Sequence, residues 1–263
     1  MNLTLKQLSF AYRGSPQLLH ALDTSLADGE LTALLGVNGS GKSTLLKLIA
    51  GILKPGRGDI VLGAPLKRSL RQLGPRHIAR YCAYVAQNTH PSVLSVFDYV
   101  LLGRLPHQHG FSARASSYDL DVVEQSLEHM ELTSLADRSM TRLSGGQIQM
   151  AVLARALAQQ PAILLLDEPT SNLDPRHQVL LMDKLRGASQ EHGTTVIFSM
   201  HDVNLALQWA DQVLLLHKGE LLRHIPTDQL STTDLSTLFD LSYQEHDTEK
   251  GQRWFRPRID QGI

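Results

Sequence analysis

The chain has 263 residues, 42% of them hydrophobic, which allows one large domain or two modest ones with a real core. Its 25 Lys and Arg nearly balance 26 Asp and Glu, for a net charge of −1, so charge gives no case for a nucleic-acid partner or an anionic bilayer surface. A single cysteine, Cys82, excludes an internal disulfide and fits a reducing compartment.

Residues 3–10 and 18–23 read as strands, with Arg13-Gly14-Ser15-Pro16 as the turn between them. The opening Met1-Asn2-Leu3-Thr4-Leu5 lacks the basic-then-apolar form of a signal peptide. No apolar run approaches the ~18–20 residues that span a bilayer, so any membrane role is expected to come through partners. Asp28-Gly29 leads into a short apolar strand at 31–35, a glycine-rich loop, and a helix at 43–50 stopped by Gly51. Pro55-Gly56-Arg57-Gly58 reads as a turn feeding a strand at 59–62, and 81–85 as a strand ending just before Gln87. From 95 to 158 helical patterns replace strands, at 96–102, 118–130 and 145–159. The second places Leu120, Val123, Leu127 and Met130 on one face, and Pro161 breaks the third. Strands return at 163–166, 196–199 and 213–216, with helices at 176–191 and 203–210 between them. The alternation predicts an α/β fold with a mainly parallel sheet, an N-terminal antiparallel β part and an inserted α-helical subdomain of roughly 70 residues.

Gly36-Val37-Asn38-Gly39-Ser40-Gly41-Lys42-Ser43, followed by Thr44, matches the phosphate-loop pattern, with an apolar strand before it and a helix after it. Glycines let the backbone turn its N–H groups inward around phosphates, as a nest joined to a helix N-terminus. Lys42 can then reach the β- and γ-phosphates, and the Ser43 hydroxyl can ligate Mg²⁺. The core is therefore predicted to be that of a P-loop NTPase.

The apolar run 163–166 ends in Asp167-Glu168. Alone, this is a strand running into an acidic turn. Beside a phosphate loop, Asp167 stands where a Mg²⁺ partner is expected, and Glu168, read as pointing the other way along the strand, can polarise an attacking water.

Leu143-Ser144-Gly145-Gly146-Gln147, together with residues 36–44, Asp167-Glu168 and His201, resembles the nucleotide-binding subunit of ATP-binding-cassette (ABC) transporters over residues 3–241. Ser144, Gly145 and Gly146 can offer a hydroxyl and backbone N–H groups at a helix N-terminus, a second anion site. The resemblance implies that two subunits pair head to tail, each signature, Ser144 to Gln147, facing the ATP held by the other's phosphate loop. It also implies adenine stacking by Tyr12, which is otherwise a strand-end tyrosine. Gln87 would contact Mg²⁺ and the attacking water, and His201 the γ-phosphate. In Ser171-Asn172-Leu173-Asp174, Asp174 would be the key residue of a loop crossing the interface, and Asp174-Pro175 equally suits a helix N-cap and N1. The implied division is an ATP-binding core at 1–88 and 161–241, a helical signature subdomain at 89–160, and a C-terminal extension at 242–263. Ile148 after Gln147 and Met200 before His201 depart from the usual pattern without touching the anion-facing positions.

Residues 95–107 are similar to the matching stretch in ATPases of bacterial importers for ferric siderophores, haem and vitamin B12. The implied setting is the cytoplasmic face of the inner (plasma) membrane, beside permease subunits and, indirectly, a substrate-binding protein, with no nucleic acid. An exporter's ATPase and a soluble non-transport ABC ATPase are the alternatives. His107-Gln108-His109 admits a weak metal reading, a solvated loop being the commoner case. The polar stretch 242–263 either docks through Trp254-Phe255 as a last strand or frays.

Overall fold

Alternating burial along β1 (Leu3–Ala11) puts Leu3, Leu5 and Leu8 inside, and β2 (Gln17–Leu26) returns antiparallel beside it. The computed structural model describes residues 1–88, 91–108, 114–171, 173–247 and 253–258. After these two strands come β3 (Leu31–Leu35), α1 (Lys42–Ile49), β4 (Arg57–Leu62), the short β5 (Arg68–Ser69), α2 (Pro75–Tyr81) and β6 (Cys82–Val85). Three helices follow, α3 (Val96–Leu101), α4 (Ser117–His129) and α5 (Gly145–Ala158). The chain then alternates through β7 (Ile163–Leu166), α6 (Pro175–His192), β8 (Thr195–Ser199), α7 (Val203–Trp209) and β9 (Gln212–His217). It closes with β10 (Glu220–Pro226), α8 (Thr232–Phe239), β11 (Tyr243–Asp247) and β12 (Arg253–Pro257).

Two sheets carry the fold. The first has the order β2-β1-β4-β5, and its pairings are antiparallel. The second has the order β10-β9-β3-β8-β7-β6, parallel throughout except for the edge strand β10. All residues of β3, β7 and β8 are buried, as expected of parallel strands covered on both faces. Among the described residues, no helix is long and apolar enough to cross a membrane.

The structure moves some expected boundaries. Tyr81 closes α2 instead of opening β6, because Pro75 at the first turn starts a helix. The turn expected at 55–58 runs into β4 itself, whose Gly58 has φ +76° beside Gln7 of β1. On α4, Leu120 is exposed. The inward face is instead Asp119, Val122, Val123, Ser126 and Leu127, followed by Met130 just past the helix end. The cause is Arg104, which is 2% exposed and draws Asp119 inward with a 2.8 Å Nε–Oδ1 bond.

That guanidinium also donates to the carbonyl of Ala158 at 2.7 Å and to Gln160 Oε1 at 2.9 Å. It thus ties α4 to the end of α5, and the three helices α3, α4 and α5 stay between β6 and β7. At the C-terminal side, β11 and β12 form an antiparallel hairpin. Phe255 enters the main core while Trp254 is half exposed, so the expected docking is carried by the phenylalanine. The Asn204 amide of α7 pairs with both backbone groups of Phe255, at 3.0 and 2.8 Å.

Removing one partner of a buried ion pair strands the other charge. Arg104→Ala should cost about 3–5 kcal/mol in urea unfolding at neutral pH. Burial pushes the Asp119 carboxyl up, but hydrogen bonds from Arg104 and Ser116 outweigh it and hold the pKa below its ordinary value. The pair's stabilisation is therefore complete above the ordinary carboxylate pKa of about 3.9 and is lost as pH falls through the folded value. The gap between Arg104→Ala and wild type should narrow in that acid range.

Candidate functional site

The loop after β3 is built by two glycines that no other residue could replace. A Cβ on Gly36 would sit 2.2 Å from the carbonyl oxygen of Leu216 and 2.7 Å from Ser40 Oγ. Gly41, with φ +105°, caps α1 and provides no side-chain cap. The first N–H groups of α1 therefore lack intrahelical partners and carry the positive end of the helix dipole. Ser40 Oγ is buried with no hydrogen-bond partner, while Asn38 and Gly39 lie exposed at the loop's tip. An orphan hydroxyl beside an uncapped helix N-terminus fits a phosphate group.

Lys42 is 6% exposed, and its Nζ donates to the carbonyls of Gly36 at 2.8 Å and Val37 at 3.1 Å. Burial lowers its pKa, with the charges of Glu168 and Asp167 acting in the opposite sense. Its ammonium is thus held by neutral acceptors that a phosphate oxygen can replace.

Asp167, 4% exposed, lies one residue past β7. Its Oδ1 accepts from Ser43 Oγ at 2.9 Å and Ser199 Oγ at 2.8 Å, and its Oδ2 from the Tyr84 hydroxyl at 3.2 Å. Burial, then the Asp167 charge and hydrogen bond, push the Tyr84 phenol well above its ordinary pKa. Glu168 has φ +49°. A left-handed turn, not strand alternation, therefore aims its side chain. Its carboxylate meets Gln87 Nε2 at 2.5 Å on Oε2 and His201 Nε2 at 2.6 Å on Oε1. Lys42, Ser43, Gln87, Asp167, Glu168 and His201 thus gather at the C-terminal ends of β3, β6, β7 and β8, where open α/β sheets place their ligands.

Among the described residues, no three or more His, Cys, Asp or Glu side chains form a cation cage. Ser43, Gln87 and Asp167 offer a hydroxyl, an amide oxygen and a carboxylate, a hard set suited to Mg²⁺ shared with phosphate oxygens. Tyr12 is 42% exposed, its hydroxyl 3.1 Å from Thr44 Oγ1 and its ring edge-on to Phe10.

The signature forms a separate cluster. Ser144 caps α5, accepting the Gln147 N–H at 3.3 Å, while Gln147 Oε1 accepts the Ser144 N–H at 3.0 Å. The side chain of Gln147 is thereby committed to this capping box. A Cβ on Gly145 would meet open space, whereas one on Gly146 would lie 2.8 Å from the His177 ring. The same imidazole lies 2.8 Å from Asp174 Oδ2, and the His177 backbone N–H donates to Oδ1 at 2.9 Å. These bonds hold the Asp174 carboxyl below its ordinary pKa. His177 thus links Asp174 to the signature glycine, a contact the linear sequence gave no sign of. Asn172 and His109 lie outside the described residues. His107 directs Nε2 to the carbonyl of Gln159 at 2.9 Å, so that ring is engaged internally.

The ABC transporter family profile matches residues 19–171. The chain belongs to the ABC transporter family. As an ABC protein it is 36% identical to the hemin import ATP-binding protein of Rhodopseudomonas palustris (strain BisB18), over 98% of this chain and 95% of that one. It is 35% identical to the ferric enterobactin transport ATP-binding protein of Escherichia coli (strain K12), over 88% and 83%. A metal-chelate type ABC transporter solved in an inward-facing conformation superposes with a TM-score of 0.83 at 34% identity, covering 98% of this chain and 97% of that one. The chain is an ABC ATPase subunit of a transporter.

Lys42→Ala should weaken ATP binding by about 10-fold or more, the loss of one charge-assisted contact. Titration calorimetry measures it, and unchanged affinity would remove Lys42 from the phosphate site.

Proposed function

We propose that two copies of this chain bind two ATP molecules between them, close, hydrolyse and reopen, and so drive a membrane permease that imports an iron chelate, haem or cobalamin. The observation that carries the catalytic part is the Glu168 carboxylate held between Gln87 and His201, one residue from the Asp167–Ser43 pair. Glu168 orients the attacking water and accepts its proton at a carboxylate oxygen. Lys42 and the loop N–H groups hold the β- and γ-phosphates, His201 turns from Glu168 toward the γ-phosphate, and Tyr12 supports the adenine. Mg²⁺, bound by Ser43, Asp167 and the Gln87 amide oxygen, would neutralise charge that develops on the transferred phosphoryl group.

The pairing rests on the second anion site. Ser144 is exposed and Gly145 borders open space, so a neighbouring copy's nucleotide can reach that helix N-terminus. Such an interface is isologous, with Asp174 crossing it, and it closes only if ATP binds the closed pair more tightly than the open one.

The importer reading is supported by the relatives' cargoes and by residues 95–107. Within that stretch Gly103 and Arg104 are buried and structural, while Leu102 and Leu105 are exposed, as is nearby Val93. These apolar side chains suit a permease loop at the cytoplasmic membrane face. The ATP-binding core would comprise 1–88 and 161–241 and the signature unit 89–160, with 242–263 as a C-terminal extension.

Glu168→Gln should retain ATP binding, lower turnover by about 10²–10⁴-fold and accumulate an ATP-bound dimer in size-exclusion chromatography. Adding Ser144→Arg to it should abolish that dimer, and a surviving dimer would sink the sandwich. Deleting the gene should impair growth on one iron chelate as sole iron source, and unimpaired growth on every chelate tried would count against that cargo class.

A further inference from the structure

The strands flanking β7 each place one hydroxyl on Asp167, Tyr84 from β6 and Ser199 from β8. The two are not equivalent. Ser199 is fully buried, donates to Asp167 Oδ1 at 2.8 Å and accepts the backbone N–H of Glu168 at 2.9 Å. A serine hydroxyl has one proton and two lone pairs, and Asp167 and the amide use them without conflict. Glu168 needs that restraint, because φ +49° is a conformation that non-glycine residues keep only where their surroundings over-determine it. Two residues beyond Ser199, His201 holds the other end of Glu168 at Oε1. The end of β8 thus grips Glu168 twice, at its amide and at its carboxylate.

We propose that Ser199 is a positioning residue for ATP hydrolysis: its hydroxyl fixes the left-handed turn at Glu168 against the Asp167 carboxylate, so one group sets the water-polarising side chain and the Mg²⁺-side carboxylate together. The inference rests on the reading of Glu168 as the residue that orients water. Ser199 Oγ bonds to Asp167 and to the Glu168 amide, whereas the phosphate-capturing Lys42 Nζ bonds to the carbonyls of Gly36 and Val37. Its effect therefore falls on turnover and not on nucleotide affinity. A misplacement of about 1 Å at a reacting group is enough to cost roughly 100-fold in rate.

The test compares Ser199→Ala and Ser199→Thr with Glu168→Gln in the full chain, by steady-state ATP hydrolysis and thermal melting. Ser199→Ala should lower kcat by about 10-fold or more while KM for Mg·ATP stays within about 2-fold, the pattern of a group acting in the transition state. Ser199→Thr keeps the hydroxyl on a side chain that strands accept and should recover most of the lost kcat. Wild-type kcat in Ser199→Ala beside an inactive Glu168→Gln would overturn the proposal. So would a loss confined to KM, or a threonine variant that melts like wild type yet turns over no faster than alanine. Wild-type turnover by Glu168→Gln would instead overturn the reading of Glu168, independently of the Ser199 results.

Discussion

A carboxylate removed from water has to be met by donors, or it costs more than the fold can offset. Asp167 is 4% exposed and no lysine or arginine pairs with it among the described residues. Three hydroxyls satisfy it instead, from Tyr84, Ser43 and Ser199. Those donors arrive from β6, the start of α1 and β8, so satisfying one buried charge aligns the middle of the parallel sheet with the phosphate loop. Hydroxyls suit this position better than a cation would. They hold the carboxylate still yet leave its negative charge uncancelled, available to a metal ion.

The helical insertion follows a related logic with a cation at its centre. Arg104 is buried among Asp119, the Ala158 carbonyl and Gln160, so a charge inside the protein fixes how α4 meets α5. Gly103 is forced by the same packing, because a Cβ there would stand 2.3 Å from the Arg155 carbonyl oxygen. A stretch that resembles importer ATPases is therefore partly an internal joint. Leu102 and Leu105 are its exposed large apolar side chains.

Legibility in the sequence followed the range of the interactions. The β3–loop–α1 unit and β7 with its carboxylates could be read residue by residue, since glycine spacing and an unbroken apolar run are local signals. The capping box of Ser144 and Gln147 was hidden within a motif read for another purpose. Periodicity puts Leu120 on the inner face because it cannot see Arg104 pulling Asp119 inward from 15 residues away. Ser199 and Tyr84 carry no motif, and their importance exists only once β6, β7 and β8 lie side by side. The same holds for His177 against Gly146. In α8, by contrast, the Ser231–Asp234 capping box was a local signal open to notice, and β10 to β12 offered only short, mixed patterns.

Gln159 closes the insertion from below. Its side-chain amide donates to the carbonyls of Ala79 and Cys82, the latter at 2.9 Å, and its own carbonyl meets His107. The C-terminal end of α5 is thereby pinned to the corner where α2 meets β6, while Ser144 caps the opposite, exposed end. With 14 residues, α5 is a rod of about 21 Å at 1.5 Å per residue. A rotation of roughly 10° about the pinned end would sweep the Ser144 end through roughly 4 Å, more than the length of a hydrogen bond. On the proposed pairing, a small angular change at this pivot therefore suffices to make or break contact with the nucleotide held by the other copy.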